Sequence, residues 1–509
     1  MKKMIDPEVV DTLLRSHLER HSLLFASSSC WTVKYSKLGG RGLFATRDIQ
    51  QGELIFIDAP LVIGPRCYKK YLPMCVNCCK VDCSLFPCER GCGLPVCSNE
   101  CENSPKHIRL ECDYLRSLKP TCDSTGSIDL LQAVVPIRSL TFSEDEKKLL
   151  HAFECHPEVQ MGREVELLKK NVKINPSEEE EALMLRVSRV MDTTCFETAI
   201  TTNKSSASLR ALYPLGALQN HSCIPNTRHH FDSNQRAIVS AALPIKKGEE
   251  ITMTYTDLLW DTTLRRHFLK VTKYFSCKCE RCADKVERGS MLGALKCAEA
   301  DCPGDLLPED SLDFNSAWIC GKCQLRISGR QIKSIKSGIG AIMEEMQYKS
   351  PRQIQKFIET ELRVLVPATN CTMLDMKFRV ISLFGRIEGL SWKDLTDREL
   401  NIKGNYCNEL LNTLDLLGCG ACKKKGLILY ELYRTNEEKL SRLASRPMDD
   451  CEFSEADLID NESILREASE ILQEDIAAPE DYHCKIRNNH EIRTFQSEKR
   501  EGSLSNAVM

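Results

Sequence analysis

The sequence has no long apolar run. Its longest, Ala237–Ile245 and Leu427–Tyr433, fall well short of the roughly 20 residues a bilayer helix needs. The opening MKKMIDPEVV carries no apolar segment of the signal-peptide kind, so export is not expected. Neither sign of charge dominates: 69 Lys and Arg face 72 Asp and Glu, a formal charge of −3. That balance argues against direct nucleic-acid binding, which needs clustered Lys and Arg. Aromatics are sparse at 6%, yet 42% apolar and 28% charged residues describe a soluble globular chain rather than a disordered one. At roughly 150 residues per domain, 509 residues predict about three domains.

What the chain has in excess is cysteine, 28 in all. In a large chain without an export signal these do not read as disulfides. Many are packed at short gaps between Cys75 and Cys112 and again between Cys277 and Cys323. Thiolates so spaced, in a reducing compartment, suit tetrahedral zinc. The expectation is a zinc protein of the nucleus or cytoplasm.

Asp6-Pro7 followed by Val9, Val10, Leu13, Leu14 and Leu18 predicts a short amphipathic helix. Next, WTVKYSKLGGRGLFATRDIQQGELIFIDAPLVI reads as short strands joined by glycine turns. From Ile128 to Thr201 the pattern is helical, with Ser177 as N-cap ahead of the acidic run Glu178–Glu181. Strands return at Ala237–Ala242 and Ile251–Thr254. Beyond Gln331 helical spacing prevails, as at Ile332, Ile335, Ile339, Ile342 and Met346, which predicts an array of helical hairpins. No clean 34-residue repeat is present. The polar, aperiodic residues 479–509 predict a disordered tail.

The first cluster orders as Cys75-x2-Cys78, Cys88-x3-Cys92, Cys97-x3-Cys101 and His107-x4-Cys112, four pairs that fit two zinc ions. It resembles the MYND zinc finger, including the ending His107, Glu111, Cys112. The resemblance implies interleaved pairs: Cys75, Cys78, Cys97 and Cys101 on one ion, Cys88, Cys92, His107 and Cys112 on the other. The second pair and the His–Cys gap are each one residue longer than usual, and Cys79 or Cys83 can replace a nominal ligand. In the second cluster Cys277-x-Cys279-x2-Cys282 is one ligand short of a tetrahedron, and Cys223 is the candidate fourth. Cys297-x4-Cys302 and Cys320-x2-Cys323 make an independent four-cysteine ribbon. Cys419-x2-Cys422 lies in a helical region without a second pair and reads as buried or free thiols. His151, Cys155 and His156 lack a fourth member and read as ordinary surface residues.

The segments Asn220–Asn226 (NHSCIPN), 248–260 (GEEITMTYTDLLW) and Cys277–Cys282 look like the catalytic SET and post-SET signature of protein-lysine methyltransferases. LGGRGLFATRDIQQGELIF matches that family's glycine-rich entry strand. With the inserted finger and helical C-terminal region, the chain resembles the SET-and-MYND methyltransferases, and the added ribbon resembles their arthropod branch. The implied fold is α+β: a β-rich, knot-like SET fold with a MYND insertion, a post-SET zinc site, a four-cysteine zinc ribbon and a helical, TPR-like C-terminal domain. The implied divisions are an N-terminal helix (1–29), the SET N-terminal part (30–73), the finger (74–112) and a helical insert (113–212). The catalytic SET part (213–260), post-SET region (261–284), ribbon (285–330), helical domain (331–478) and tail (479–509) follow.

Methyl transfer from S-adenosylmethionine to an amine is an in-line displacement that needs alignment, exclusion of water and a neutral lysine. A lysine near pKa ~10.4 is almost wholly charged at neutral pH, and an apolar channel beside a sulfonium lowers that value. By resemblance, the Tyr255 hydroxyl sits at the reacting methyl and amine and orients them. Asn220 and His221 would contact the cofactor's amino-acid and adenine parts, Gly40, Arg41 and Gly42 would line its pocket, and Phe275 would stack on adenine. Thr194 stands where relatives tend to carry an asparagine, and its hydroxyl would bond the cofactor. Lys273 stands where many carry a tyrosine, Tyr274 being shifted by one. The implied cofactors are S-adenosylmethionine and about four structural zinc ions: two in the finger, one post-SET, one in the ribbon. The implied activity is methylation of lysine in histone or other proteins, in transcription regulation. The alternative is a SET scaffold whose finger captures proline-rich peptides as an adaptor. A membrane partner is not expected.

Overall fold

The computed structural model describes residues 5–23, 29–66, 73–118, 124–160, 162–201, 206–445 and 461–486. The chain divides into two compact units: Met1–Asn220 with His229–Thr252 and Glu474–Ala477, and His221–Arg228 with Met253–Gln473 and Ala478–Met509.

The first unit is built on strands far apart in sequence. Arg41–Ala45 pairs antiparallel with Trp31–Tyr35, and on its other edge with Glu250–Ile251, so that Leu43 lies opposite Val33 and Ile251. Leu54–Asp58 pairs with Ala237–Ala241 in the same manner. Finger and helical segment are therefore insertions between two halves of one β fold. Leu43 and Ile251 are fully buried, and the core spreads from them over the helix Pro7–Arg20 and the insert. Asp6 caps that first helix through Glu8 N, with Pro7 at the position where a missing N–H costs nothing. Ser177 closes a reciprocal capping box with Glu180 at the head of Glu178–Thr194. The helical pattern expected to Thr201 stops at Thr194. Phe196–Thr201, rich in aromatic and β-branched residues, pairs instead with Ser206–Leu212, which also pairs with Val62–Pro65.

Asp58 at the end of its strand is wholly buried, and its Oδ2 accepts from the N–H groups of Leu215 (2.7 Å) and Gly216 (2.9 Å). This fixes the turn that leads to Asn220. His17 Nε2 donates to Ala59 O at 3.0 Å and lies 3.8 Å from Asp58 Oδ1. Burial pushes the Asp58 carboxyl up to about 7 and the His17 imidazole down to about 4. The two act oppositely on stability. Between pH ~4 and ~7 the folded state keeps an Asp58 proton that the unfolded chain loses, so this group lowers stability as pH rises. Between ~4 and ~6.5 the unfolded chain binds a His17 proton that the folded state refuses, so stability rises with pH. Asp58→Asn should uncover the histidine: from pH 4 to 6.5 the variant's unfolding free energy climbs more steeply than wild type, by up to about 1.4 kcal/mol per pH unit. Parallel slopes in denaturant titrations across that range would contradict this.

The second unit opens with the post-SET segment and a four-stranded antiparallel ribbon, Leu295–Lys296, Asp305–Pro308, Trp318–Cys320 and Arg326–Ile327. The helices Gly329–Met346, Pro351–Phe357, Cys371–Leu383, Asp397–Leu417, Lys423–Ser445 and Asn461–Leu472 follow. Leu374, Phe384, Leu410, Ile428 and Tyr430 are among the core they share. Lys403 is fully buried there, bonded to Glu431 (2.7 Å) and to the carbonyls of Ile381 and Phe384. Part of the expected tail belongs to this core. Tyr482 is buried edge-on against Tyr430, with its hydroxyl on Gln473 O at 3.0 Å. Ile486 also packs against this core, and polar neighbours mask both anchors in the sequence. Residues 487–509 lie outside the described residues. No helix among the described residues is long and apolar enough to cross a membrane.

Candidate functional site

Among the described residues four sets of ligand atoms converge, each with all members within 4.8 Å of one another. Tetrahedral zinc with bonds near 2.3 Å holds sulfurs roughly 3.75 Å apart. The spacings in all four sets match. In the finger, Cys78–Cys97 and Cys97–Cys101 are 3.5 and 3.6 Å apart, with Cys75 completing the set. Cys79 and Cys83 stand outside it, so the alternatives left open by the adjacent thiols resolve to Cys78. In the second set Cys88–Cys112 is 3.9 Å and Cys92 to His107 Nε2 is 3.8 Å. The long His107–Cys112 gap is taken up by a wide π-turn over Ile108–Cys112, which brings residues five apart onto one face.

His107 Nδ1 donates to Glu111 (2.9 Å), and Arg138 Nε reaches the same carboxylate at 2.9 Å. Burial works to raise the Glu111 carboxyl, but Arg138 and His107 hold it below the ordinary value. A carboxylate there fixes the imidazole tautomer that leaves Nε2 free for metal. Arg138 also donates to Ile63 O and Val76 O, tying finger to sheet.

Two further sets lie in the second unit. Cys223 Sγ is 3.5 Å from Cys282 and 3.9 Å from Cys277, with Cys279 the fourth member. Cys297–Cys323 (3.5 Å) and Cys302–Cys320 (3.7 Å) form the ribbon set. Gly304 is required beside it, because a Cβ would stand 2.5 Å from Cys320 Sγ. All four donor sets suit zinc.

Around the post-SET set the structure adds buried charge that the sequence did not advertise. Arg265 donates to Cys223 Sγ (3.3 Å), Cys282 Sγ (3.5 Å) and Glu287 (2.6 Å). Arg281 donates to Cys223 O (2.9 Å) and the same Glu287. Four thiolates on one divalent ion would leave two negative charges, and Arg265 and Arg281, sharing Glu287, would offset one of them at this buried site. Cys419 and Cys422 are buried thiols, pushed up by burial, and join no ligand set. Nor do His151, Cys155 and His156. The Cys155 thiol instead meets Arg186 Nη1 at 2.6 Å.

The expected cofactor residues fall into two groups. In the first unit Gly40 adopts φ +56°, a left-handed turn that lets the chain enter Arg41–Ala45. Asn220 Nδ2 bonds Arg41 O (3.0 Å), Gly39 O (3.3 Å) and Glu250 Oε1 (2.7 Å), and Glu250 Oε2 accepts from Ser36 (2.7 Å). Glu250 was not singled out because GEE offers two glutamates. Neighbours in a strand face opposite sides, and Glu249 caps the turn at Lys246 N instead. The Arg41 guanidinium turns away, to Ile5 O and Ala152 O, so this residue offers the cradle its backbone. The Thr194 hydroxyl is engaged by Val190 O at 2.8 Å within its own helix. A Cβ on Gly42 would stand 2.2 Å from Glu250 Oε1 and 2.9 Å from Asn220 Nδ2. Gly42→Ala should therefore displace both side chains and lower stability by about 1–3 kcal/mol in denaturant unfolding. An unchanged midpoint would show the cradle to be slack.

In the second unit His221 accepts the Tyr255 N–H at Nδ1 (3.0 Å) and points Nε2 at Cys223 Sγ (3.2 Å). Burial holds this imidazole neutral, down to about 4, so Nε2 is the protonated nitrogen. The rings of Tyr255 and Phe275 lie 5.3 and 6.0 Å from that of His221. Ser222 N donates to Met253 O at 2.8 Å, binding the two loops as a short parallel bridge. The zinc set, the histidine and the tyrosine are thus one hydrogen-bonded chain.

A model of the SET domain matches residues 40–256. The SET domain-containing protein SmydA-8, isoform A, of Drosophila melanogaster is 32% identical over 410 residues, 79% of this chain and 88% of that one. The chain belongs to the SMYD-type SET-domain family. Family members of stated activity are more distant. The histone-lysine N-methyltransferase ASHR1 of Arabidopsis thaliana is 27% identical, covering 63% of this chain and 69% of that one. The N-lysine methyltransferase SMYD2-B of Xenopus laevis is 28% identical over 52% and 63%. The SET match covers the expected cofactor residues from Gly40 to Tyr255, with the finger and the helices after it, and ends before Phe275.

Proposed function

We propose that the protein is an S-adenosylmethionine-dependent protein-lysine N-methyltransferase. The observation that carries this is His221: neutral, buried, bonded to Tyr255 N and directed at a zinc-ligand sulfur. That bond fixes the Tyr255 main chain at the imidazole and sets the tyrosine ring 5.3 Å from it. Asn220 and His221 are each expected to contact the cofactor. The Asn220 amide nitrogen is engaged by the strand and Glu250, leaving its oxygen to accept from the cofactor's ammonium. Phe275, 38% exposed, offers its face to adenine. The Tyr255 hydroxyl orients the amine and methyl rather than taking the proton, because a phenol near pKa ~10 is a weak base at neutral pH. The zinc ions are structural.

Acceptors in this reading are lysines of histones or other proteins, in nucleus or cytoplasm, with a part in transcription regulation. The finger would capture proline-rich peptides. A second reading, a SET scaffold acting as an adaptor, is favoured by the engaged Thr194 hydroxyl and by Lys273 beside Tyr255. The two are separated by incubating zinc-loaded protein with labelled S-adenosylmethionine and a library of lysine peptides. Label on lysine supports the enzyme; bound peptide without label supports the adaptor.

A further inference from the structure

Lys273 ends the helix Thr262–Thr272, its N–H donating to Leu269 O at 2.9 Å. Its Nζ stands over the ring of Tyr255, 5.4 Å from the centroid. Tyr274 follows with φ +62°, an unfavoured left-handed conformation for a bulky residue, and turns the chain back. Two residues after Lys273 comes Phe275, whose ring lies 6.0 Å from His221. One short turn thus brings a lysine amine and an aromatic face to the His221–Tyr255 pair. Tyr274 and Phe275 are 39% and 38% exposed and Lys273 is half-buried, so the turn borders solvent.

We infer that Lys273 is a methyl acceptor, and that the protein methylates its own post-SET turn at this residue. This rests on the methyltransferase reading above. An amine tethered beside the tyrosine that orients the acceptor needs no encounter with a second molecule, and such tethering is worth a high effective concentration. The reaction balances with S-adenosylmethionine as the co-reactant. The Lys273 ammonium gives a proton to water, and the nitrogen lone pair forms the N–C bond. The C–S bond breaks with its electrons going to sulfur. The products are S-adenosylhomocysteine and Nζ-methyl-Lys273. Attack by the neutral amine yields a secondary ammonium directly, so the cationic contact with the Tyr255 face persists with a bulkier head.

The test uses full-length zinc-loaded protein with labelled S-adenosylmethionine, once alone and once with the lysine-peptide library, followed by peptide mapping. The expected result is label at Lys273 in the protein alone, with a rate per molecule that does not change with protein concentration. Lys273→Arg, which keeps the charge and the stack, should lose label from that peptide, and Tyr255→Phe should lose most of it. Label on library peptides but none on Lys273 overturns the inference and leaves the methyltransferase reading standing. Label on neither overturns both. Label at Lys270 or Lys278 instead, or a rate per molecule that rises with concentration, overturns it too. Mapping of the wild-type chain decides the matter even if a variant misfolds.

Discussion

Tyr255→Phe is expected to leave the protein folded, zinc-loaded and binding S-adenosylmethionine within about threefold of wild type, while kcat for methyl transfer falls about 100-fold. The substitution removes only the hydroxyl. The Tyr255 N–H still donates to His221 Nδ1, and a phenyl ring still lies about 5 Å from the imidazole. Binding contacts are preserved, and what is lost acts on the amine and methyl in the transition state. Steady-state kinetics on a lysine peptide, paired with calorimetry of the cofactor, read the two effects separately. Equal rates in wild type and variant would remove Tyr255 from the chemistry.

Cys223→Ser is expected to be harsher. Zinc content should drop from about four to about three per chain, with methyl transfer reduced at least about 100-fold. A serine hydroxyl is a poor zinc ligand, and the loss spreads. Arg265 donates to Cys223 Sγ and Cys282 Sγ, and both Arg265 and Arg281 are almost wholly buried. Stripped of the thiolate charge they offset, buried cations of this kind cost about 3–5 kcal/mol. Cys223 also receives the His221 Nε2 proton, so the histidine and the tyrosine bonded to it lose their anchor. A displacement of about 1 Å at a reacting group is enough for a 100-fold loss. Metal analysis of the purified variant and rate measurement decide this. Four zinc ions retained with normal activity would show that Cys223 is not a ligand.

The metal sites were the most legible part of the sequence, because thiolates at two- to four-residue gaps have few other physical uses. Pairing of Cys75, Cys78, Cys97 and Cys101 against Cys88, Cys92, His107 and Cys112 came from resemblance, and the ligand sets agree with it. Spacing named Cys78 but left Cys79 or Cys83 able to replace it; the folded turn brings Cys78 into the ligand set. The helical array was legible from periodicity. Phe196–Thr201 was not, because a short apolar run next to a long helix reads as its continuation until Ser206–Leu212 pairs with it. Buried charge was least legible of all. Arg138, Arg265, Arg281 and Glu287 look in sequence like solvated residues, and their partners lie at folded rather than sequential neighbours. Arg41 shows the converse: it was singled out from the motif, but its long side chain turns to Ile5 O and Ala152 O.

Isothermal titration of S-adenosylmethionine into zinc-replete protein, beside Asn220→Ala, tests the central claim most directly. Asn220 is the side chain that joins Arg41 O to Glu250, and the proposed function needs its remaining oxygen for the cofactor. Saturable one-to-one binding, lost or weakened at least about tenfold in the variant, is the predicted result. No binding by folded protein that carries all its zinc would contradict it, and would make the SET fold a scaffold.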